Sequence, residues 1–173
     1  MGRGRTMTST ITYNYTRAHT ATHLTDIILG TITDILADLK IDTTLFGRDW
    51  KQNEDAIKAW IEEGSLDTVV LECHQPSGTV APVIEFPVSY TAGGNGNAEF
   101  TASRARAARF RAKFDRVPTG TTHRLICTFN APHTPQPGWG PGQRASTDGL
   151  QSITFGTLGS APRASTGMRY YFS

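Results

Sequence analysis

Between Leu24 and Leu39 the apolar residues Leu24, Ile27, Ile28, Ile32, Ile35, Leu36 and Leu39 recur at three- and four-residue steps. That spacing predicts a helix with a wide apolar stripe, while Thr25, Asp26, Thr33, Asp34 and Asp38 fill the other side. A stripe this broad has to be covered by something equally apolar. The alternating segments further along the chain supply a sheet for that purpose.

The run "LDTVVLECH" sets Val69, Leu71 and Cys73 against Thr68, Val70 and Glu72, and "QPSGTVAP" then turns the chain into "VIEFPVSYT". Together they read as an antiparallel hairpin. Pro87 has no ladder donor, which places the second strand at an edge or a bulge. Ahead of the hairpin, "DWKQNEDAIKAWIEEG" reads as a second helix, with Asp49 as N-cap, Trp50, Ile57, Trp60 and Ile61 on one face, and Gly64 at the C-terminal turn. "AGGNGN" breaks the chain, and "AEFTASRARAARFRAKFDRV" reads as a third helix with Phe100, Ala107, Phe110, Phe114 and Val117 on one stripe. "TTHRLICTFN" is a third strand. At the other end, "ITYNYT" alternates Ile11, Tyr13 and Tyr15 as a short strand or extended arm, preceded by the polar residues 1–10.

These elements fit one α+β domain with antiparallel pairing, and 173 residues suffice for a single core. No run is long and apolar enough to span a bilayer, and the polar "MGRGRTMTST" start has no apolar region of a secretory signal, so the expected location is the cytoplasm. Cys73 and Cys127 then read as buried reduced thiols.

The late part of the chain is unusual. After Asn130 it crosses four prolines and four glycines before strand chemistry returns at Leu150 with "LQSITFGTL" and then "MRYYFS". Arg144, Asp148, Arg163 and Arg169 are the only fully ionised side chains in this stretch. An uncharged strand pair ending in Met168, Tyr170, Tyr171 and Phe172 has to be paired or covered by the body of the protein.

Catalytic signals are weak. His19 and His23 share a helix face at metal-ligand spacing, but no carboxylate or cysteine completes a set. Cys73 and His74 point to opposite sides of a strand, and no glycine elbow flanks either cysteine. "GGNGN" lacks the lysine of a phosphate loop. No metal, cofactor or catalytic residue is expected, so the chain reads as a non-enzyme. The basic surface formed by Arg104, Arg106, Arg109, Arg111, Lys113 and Arg116 leaves three readings open: a solvated face, a face for an acidic protein partner, or a grip on nucleic acid by the helix at 100–116. A formal net charge of only +2 counts against the last.

The succession "YNYTRAHTATHLTDIILGTITDIL", "WIEEGSLDTVVLECHQPSG", "IEFPVSY", "ASRARAARFRAKF" and "STGMRYYF" resembles a bacterial HORMA domain protein over nearly the whole chain. That resemblance implies an α+β HORMA-like fold: an antiparallel sheet packed on about three helices, with a flexible arm at 1–10, a core at 11–130 and a mobile safety belt at 131–173. It also implies that the belt wraps a closure-motif peptide, supplied by a paired HORMA protein or another operon product, as an added strand. The expected peptide contacts are Arg124, Leu125, Ile126, Cys127, Thr128 and Phe129 on one side. On the other, Ile153, Phe155, Leu158, Tyr170 and Phe172 form the belt wall. The implied role is a signalling adaptor in anti-phage defence whose closed form activates a cGAS-like nucleotidyltransferase, with Arg104, Arg106, Arg109, Arg111 and Lys113 as a partner-binding basic face. An AAA+ remodelling ATPase would pull on the N-terminal arm to reopen it.

Overall fold

The computed structural model of the chain describes residues 2–91 and 100–173, with side chains from Thr16 onward. In order, the elements are α1 (Gly2–Asp38), α2 (Thr44–Arg48), α3 (Trp50–Glu63), β1 (Leu66–His74), β2 (Val80–Tyr90), β3 (Thr101–Ala102), α4 (Arg104–Arg111), β4 (Thr122–Phe129), β5 (Gln151–Ala161) and β6 (Ala164–Phe172). The strands form one sheet in the order β3-β5-β6-β2-β1-β4, and every recorded pairing is antiparallel.

The long stripe does what its spacing requires. Leu24, Ile28, Leu29, Ile32, Ile35 and Leu36 are fully buried, in one cluster with Ile57 and Trp60 of α3 and with Leu66, Val69, Leu71, Cys73, Ile84 and Phe86 of the central strands. α1 and α3 therefore cover one sheet face. Gly64 closes α3 at φ 79, a left-handed conformation that suits glycine. Asp49 stands at the N-cap of α3, but its carboxylate makes no capping bond and accepts from Arg48 instead.

Several expectations need correction. Ile11 to Tyr15 lie in α1, not in a strand, and that helix begins at Gly2. The arginine-rich helix spans only Arg104–Arg111, not 100–116: Thr101–Ala102 pair with β5 beforehand, and the chain leaves the helix at Ala112. Its one buried position is Ala107, and Phe114 and Val117 beyond it reach the core from non-helical backbone. "AGGNGN" lies outside the described residues. Pro87 lies in β2, which is central rather than at an edge. Pairing to β6 is interrupted between Glu85↔Arg169 and Val88↔Thr166, and the missing proline donor falls in that gap.

On the second sheet face, Val70 and Val83 are fully buried and Ile126 nearly so. They pack beneath Leu150 and Tyr171, which form a small second core with Val80. Its cover comes from the segment that follows β4. Among the described residues, no helix is long and apolar enough to cross a membrane.

Candidate functional site

Among the described residues β4 ends the sheet and pairs with β1 alone, leaving its outer edge without a strand. Along β4 the side chains alternate. Leu125, Cys127 and Phe129 pack against the main core on the helix side, and Ile126 joins the second core on the other side.

The chain beyond β4 travels around that edge. Asn130 donates its N–H to the Ser65 carbonyl at 3.1 Å. Thr134 donates its N–H and hydroxyl to the Glu63 carboxylate at 3.0 and 2.9 Å, while its carbonyl accepts the Trp60 indole N–H at 2.7 Å. Trp139 meets Trp60 edge to face at 5.3 Å. Gly138, at φ 80, lies so close to Gln52 that a Cβ would collide with its side-chain amide. The segment thus starts on the helix side and finishes on the opposite face. Arg124 donates to the Gln143 carbonyl at 2.9 Å, the Ala145 N–H donates to Glu72 at 2.5 Å, and Arg144 reaches Glu85 at 2.6 Å. Leu150 then settles on the second core.

Between this loop and β4 lies a cavity of about 650 Å³. Its walls are Trp60, Leu125 to Cys127 and Phe129 on the protein body, with His133, Pro135, Gln136, Trp139 and Pro141 among the loop residues opposite. A second cavity of about 360 Å³ continues towards α2 and α3, sharing Arg124, Leu125, Gly138 and Trp139 with the first. An unpaired strand edge beside an aromatic cleft can hydrogen-bond an extended chain and sort its side chains.

Three carboxylates fasten the loop: Glu85 through Arg144, and Glu63 and Glu72 through its backbone N–H groups. The Glu72 side chain is inaccessible to solvent and accepts from Ala145, from Arg124 at 2.7 and 3.1 Å, and from His74 at 3.0 Å. Burial alone would raise its pKa. The Ala145 N–H, the Arg124 guanidinium and His74 outweigh that effect and hold it below the ordinary value. Glu63 is lowered similarly: burial acts upwards, but the Ser65 hydroxyl and both Thr134 donors dominate. Burial pushes the Cys127 thiol well up and that of Cys73 up to about 12, so neither supplies a thiolate. Among the described residues, no group of three or more His, Cys, Asp or Glu is arranged to hold a metal ion.

The sequence profile of the family described as bacterial HORMA domain 2 matches residues 7–172. The chain belongs to that family.

Solved structures agree on the HORMA fold. A chain in the crystal structure of the mitotic checkpoint complex superposes with a TM-score of 0.71 at 9% identity, over 88% of this chain and 97% of that one. The structure of C. elegans HTP-1 bound to the HIM-3 closure motif gives 0.66 at 12% identity, over 86% and 88%. The E. coli MS115-1 CdnC:HORMA-deltaN complex gives 0.57 at 13% identity, over 90% and 87%. A search among curated proteins found no match.

In this HORMA domain Arg124 to Phe129 all lie on β4, and the structure brings them together as the unpaired edge. The expected belt wall is elsewhere. Ile153, Phe155 and Leu158 of β5 and Tyr170 and Phe172 of β6 belong to a hairpin that docks on β2. β5 is four strand positions from β4, about 19 Å at ordinary strand spacing. The hairpin satisfies its backbone by pairing with β2, and most of its apolar side chains are spent on packing. Leu158 is buried in the main core, Tyr170 stacks on Phe114 at 3.9 Å, Phe155 sits under Arg106, and Ile153 is exposed. The loop before the hairpin, not the hairpin itself, faces the edge.

The basic face is divided as well. Arg104, Arg109 and Lys113 are exposed, but Arg106 lies 4.5 Å over the Phe155 ring and donates to the Thr157 carbonyl. Arg111 is an internal tie, paired with Asp34 at 3.7 Å and with Asp38. Sequence reading missed Trp60, Glu63, Glu72, His133 and Trp139 as site residues. Trp139 carried a usable signal: a large aromatic in an otherwise small, uncharged, proline-rich run must find a partner surface.

Proposed function

We propose that this HORMA domain is a peptide-binding signalling adaptor without catalysis of its own. A closure-motif peptide adds to the outer edge of β4 as a seventh strand, enclosed by the loop that runs from Asn130 to Leu150. Main-chain bonds to β4 would hold it, and the cleft residues would select it. The observation that carries this reading is the loop itself. It is pinned on the helix side by Glu63 and Trp60 and on the other side by Glu72 and Glu85, with an open cavity between it and an unpaired strand. The likeness to HTP-1 bound to a closure motif supports it through the shared fold.

In the peptide-loaded form the domain would bind and activate a cGAS-like nucleotidyltransferase in anti-phage signalling, and an AAA+ ATPase acting on the N-terminal residues would reset it. Support for that partner comes from the likeness to the HORMA chain complexed with CdnC. Under this division residues 11–130 form the core and 131–173 the belt, of which 131–150 moves and β5–β6 stay docked. Limited proteolysis tests the proposal. Cleavage between Asn130 and Leu150 should slow when a cognate peptide is added. Unchanged cleavage with every peptide that binds would sink it. Nucleotide-product formation by the co-purified synthase, with and without peptide, tests the activating role.

A further inference from the structure

Resting on the peptide-binding reading, we propose that the guest strand is anchored by one large apolar side chain, aromatic or branched aliphatic, seated on the helix side beside Cys127 and Phe129, with polar residues immediately before and after it. A strand added to β4 shares its pleat, so every second guest residue points to the same side as Leu125, Cys127 and Phe129. At that level the cleft is a corner of four rings. Trp60 meets Phe129, Trp139 and His133 edge-on at 4.9, 5.3 and 5.8 Å, and His133 stacks on Phe129 at 3.5 Å.

The corner offers a charged guest side chain no free carboxylate, lysine or guanidinium to pair with. The cavity lining contains no carboxylate and no lysine. Its arginine, Arg124, is turned to the opposite face and bound to Glu72 and to the Gln143 carbonyl. Glu63, which fastens the loop near this corner, already accepts from Ser65 and from both donors of Thr134. A cation or carboxylate seated among these rings would lose water without a counter-charge, whereas an apolar side chain gains by leaving it. Trp139 adds a second recognition element. Its indole N–H is buried without a hydrogen-bond partner while the ring lines the cleft. A small rotation of the ring as the guest enters would bring it to a main-chain carbonyl of the guest, the acceptor that would satisfy it. The neighbouring guest residues point to the other side, where Arg124 and the Gln143–Ala145 backbone make a polar surface.

The test pans displayed random peptides of about a dozen residues against the full chain. Enriched peptides are then measured by fluorescence anisotropy and for protection of the Asn130–Leu150 loop from protease. The expected result is a single position held by Trp, Phe, Leu, Ile or Met with polar neighbours. Affinity should fall about tenfold or more in Trp139→Ala and several-fold in Trp139→Phe, which keeps the ring but lacks the N–H. Ile153→Ser, in β5 at the far end of the sheet, should bind as wild type does. Peptides that protect the loop but share a charged residue or no anchor at that position overturn the proposal and leave the peptide-binding reading standing. Wild-type affinity in both Trp139 variants does the same, and the aromatic-preserving variant keeps the result readable if the alanine variant fails to fold. A library that yields no binder, or only binders that leave loop cleavage unchanged, overturns both.

Discussion

Glu72 is the residue on which the loop depends most. It lies on β1 with its side chain fully buried, yet its acceptors are filled by three separate segments: Ala145 from the loop, Arg124 from β4 and His74 from its own strand. Replacing it with Gln keeps the shape but removes the charge that Arg124 faces. A buried charged hydrogen bond lost in this way costs about 1–3 kcal/mol, which in a chain of this size lowers Tm by roughly 2–4 °C per kcal/mol. Thermal unfolding of Glu72→Gln checks the value. The pH dependence follows from the direction of its shift. Glu72 and Glu63 both titrate below their ordinary value of 4.5 in the folded chain. The unfolded chain therefore takes up protons first as the solution is acidified. The stability these carboxylates contribute is full above about pH 4.5 and is lost as pH falls through their folded values. Cleavage of the loop by an acid-active protease should accelerate over that window, and in Glu72→Gln the rate should depend less steeply on pH.

At the scale of elements, α4 shows how a basic run divides its labour. Its arginines look alike in sequence, but only Arg111 reaches Asp34 and Asp38 of α1, with its own side chain 12% exposed. Arg111→Ala should destabilise the domain by about 0.5–1.5 kcal/mol because it removes the ion pairs to two half-exposed carboxylates and unpins α4. Arg109→Ala and Lys113→Ala, both at exposed positions, should change stability by less than about 0.5 kcal/mol. Chemical denaturation of the three variants side by side separates these roles. Equal effects would mean that α4 is held by packing rather than by its tie to α1. The β5–β6 hairpin follows the same logic: its apolar side chains were legible as buried, but they serve the sheet and the α4 contact, not the cleft.

For the whole molecule, the proposed guest beneath the loop would bind only the folded form. At a hundredfold excess over Kd it should stabilise the domain by about 2.7 kcal/mol. Its release should be limited by loop opening rather than by breaking strand contacts alone. Glu72→Gln weakens the fastening without touching the helix-side corner, so it should raise koff by up to about tenfold, the equivalent of 1.4 kcal/mol. Stopped-flow displacement of a labelled peptide measures this directly. A koff insensitive to that change would place the barrier in the strand contacts.

Periodicity alone determined that α1 packs on a sheet, that β1 and β2 form a hairpin, that β4 is a strand and that a long uncharged break follows it, because each is a local pattern of apolar spacing and turn residues. The family resemblance was also legible, since it rests on the order of those elements. Local pattern could not reveal the strand order, and the site depends on it. Placing β6 beside β2 leaves β4 as the bare edge and removes Ile153, Phe155, Leu158, Tyr170 and Phe172 from the cleft. Val70 and Glu72 alternate like residues of a solvent-facing side, but they are buried because a segment more than seventy positions away lies over them. Trp60 and Trp139 meet only once that segment has rounded the edge. The cleft is built by contacts distant in sequence, and only the folded chain brings them together.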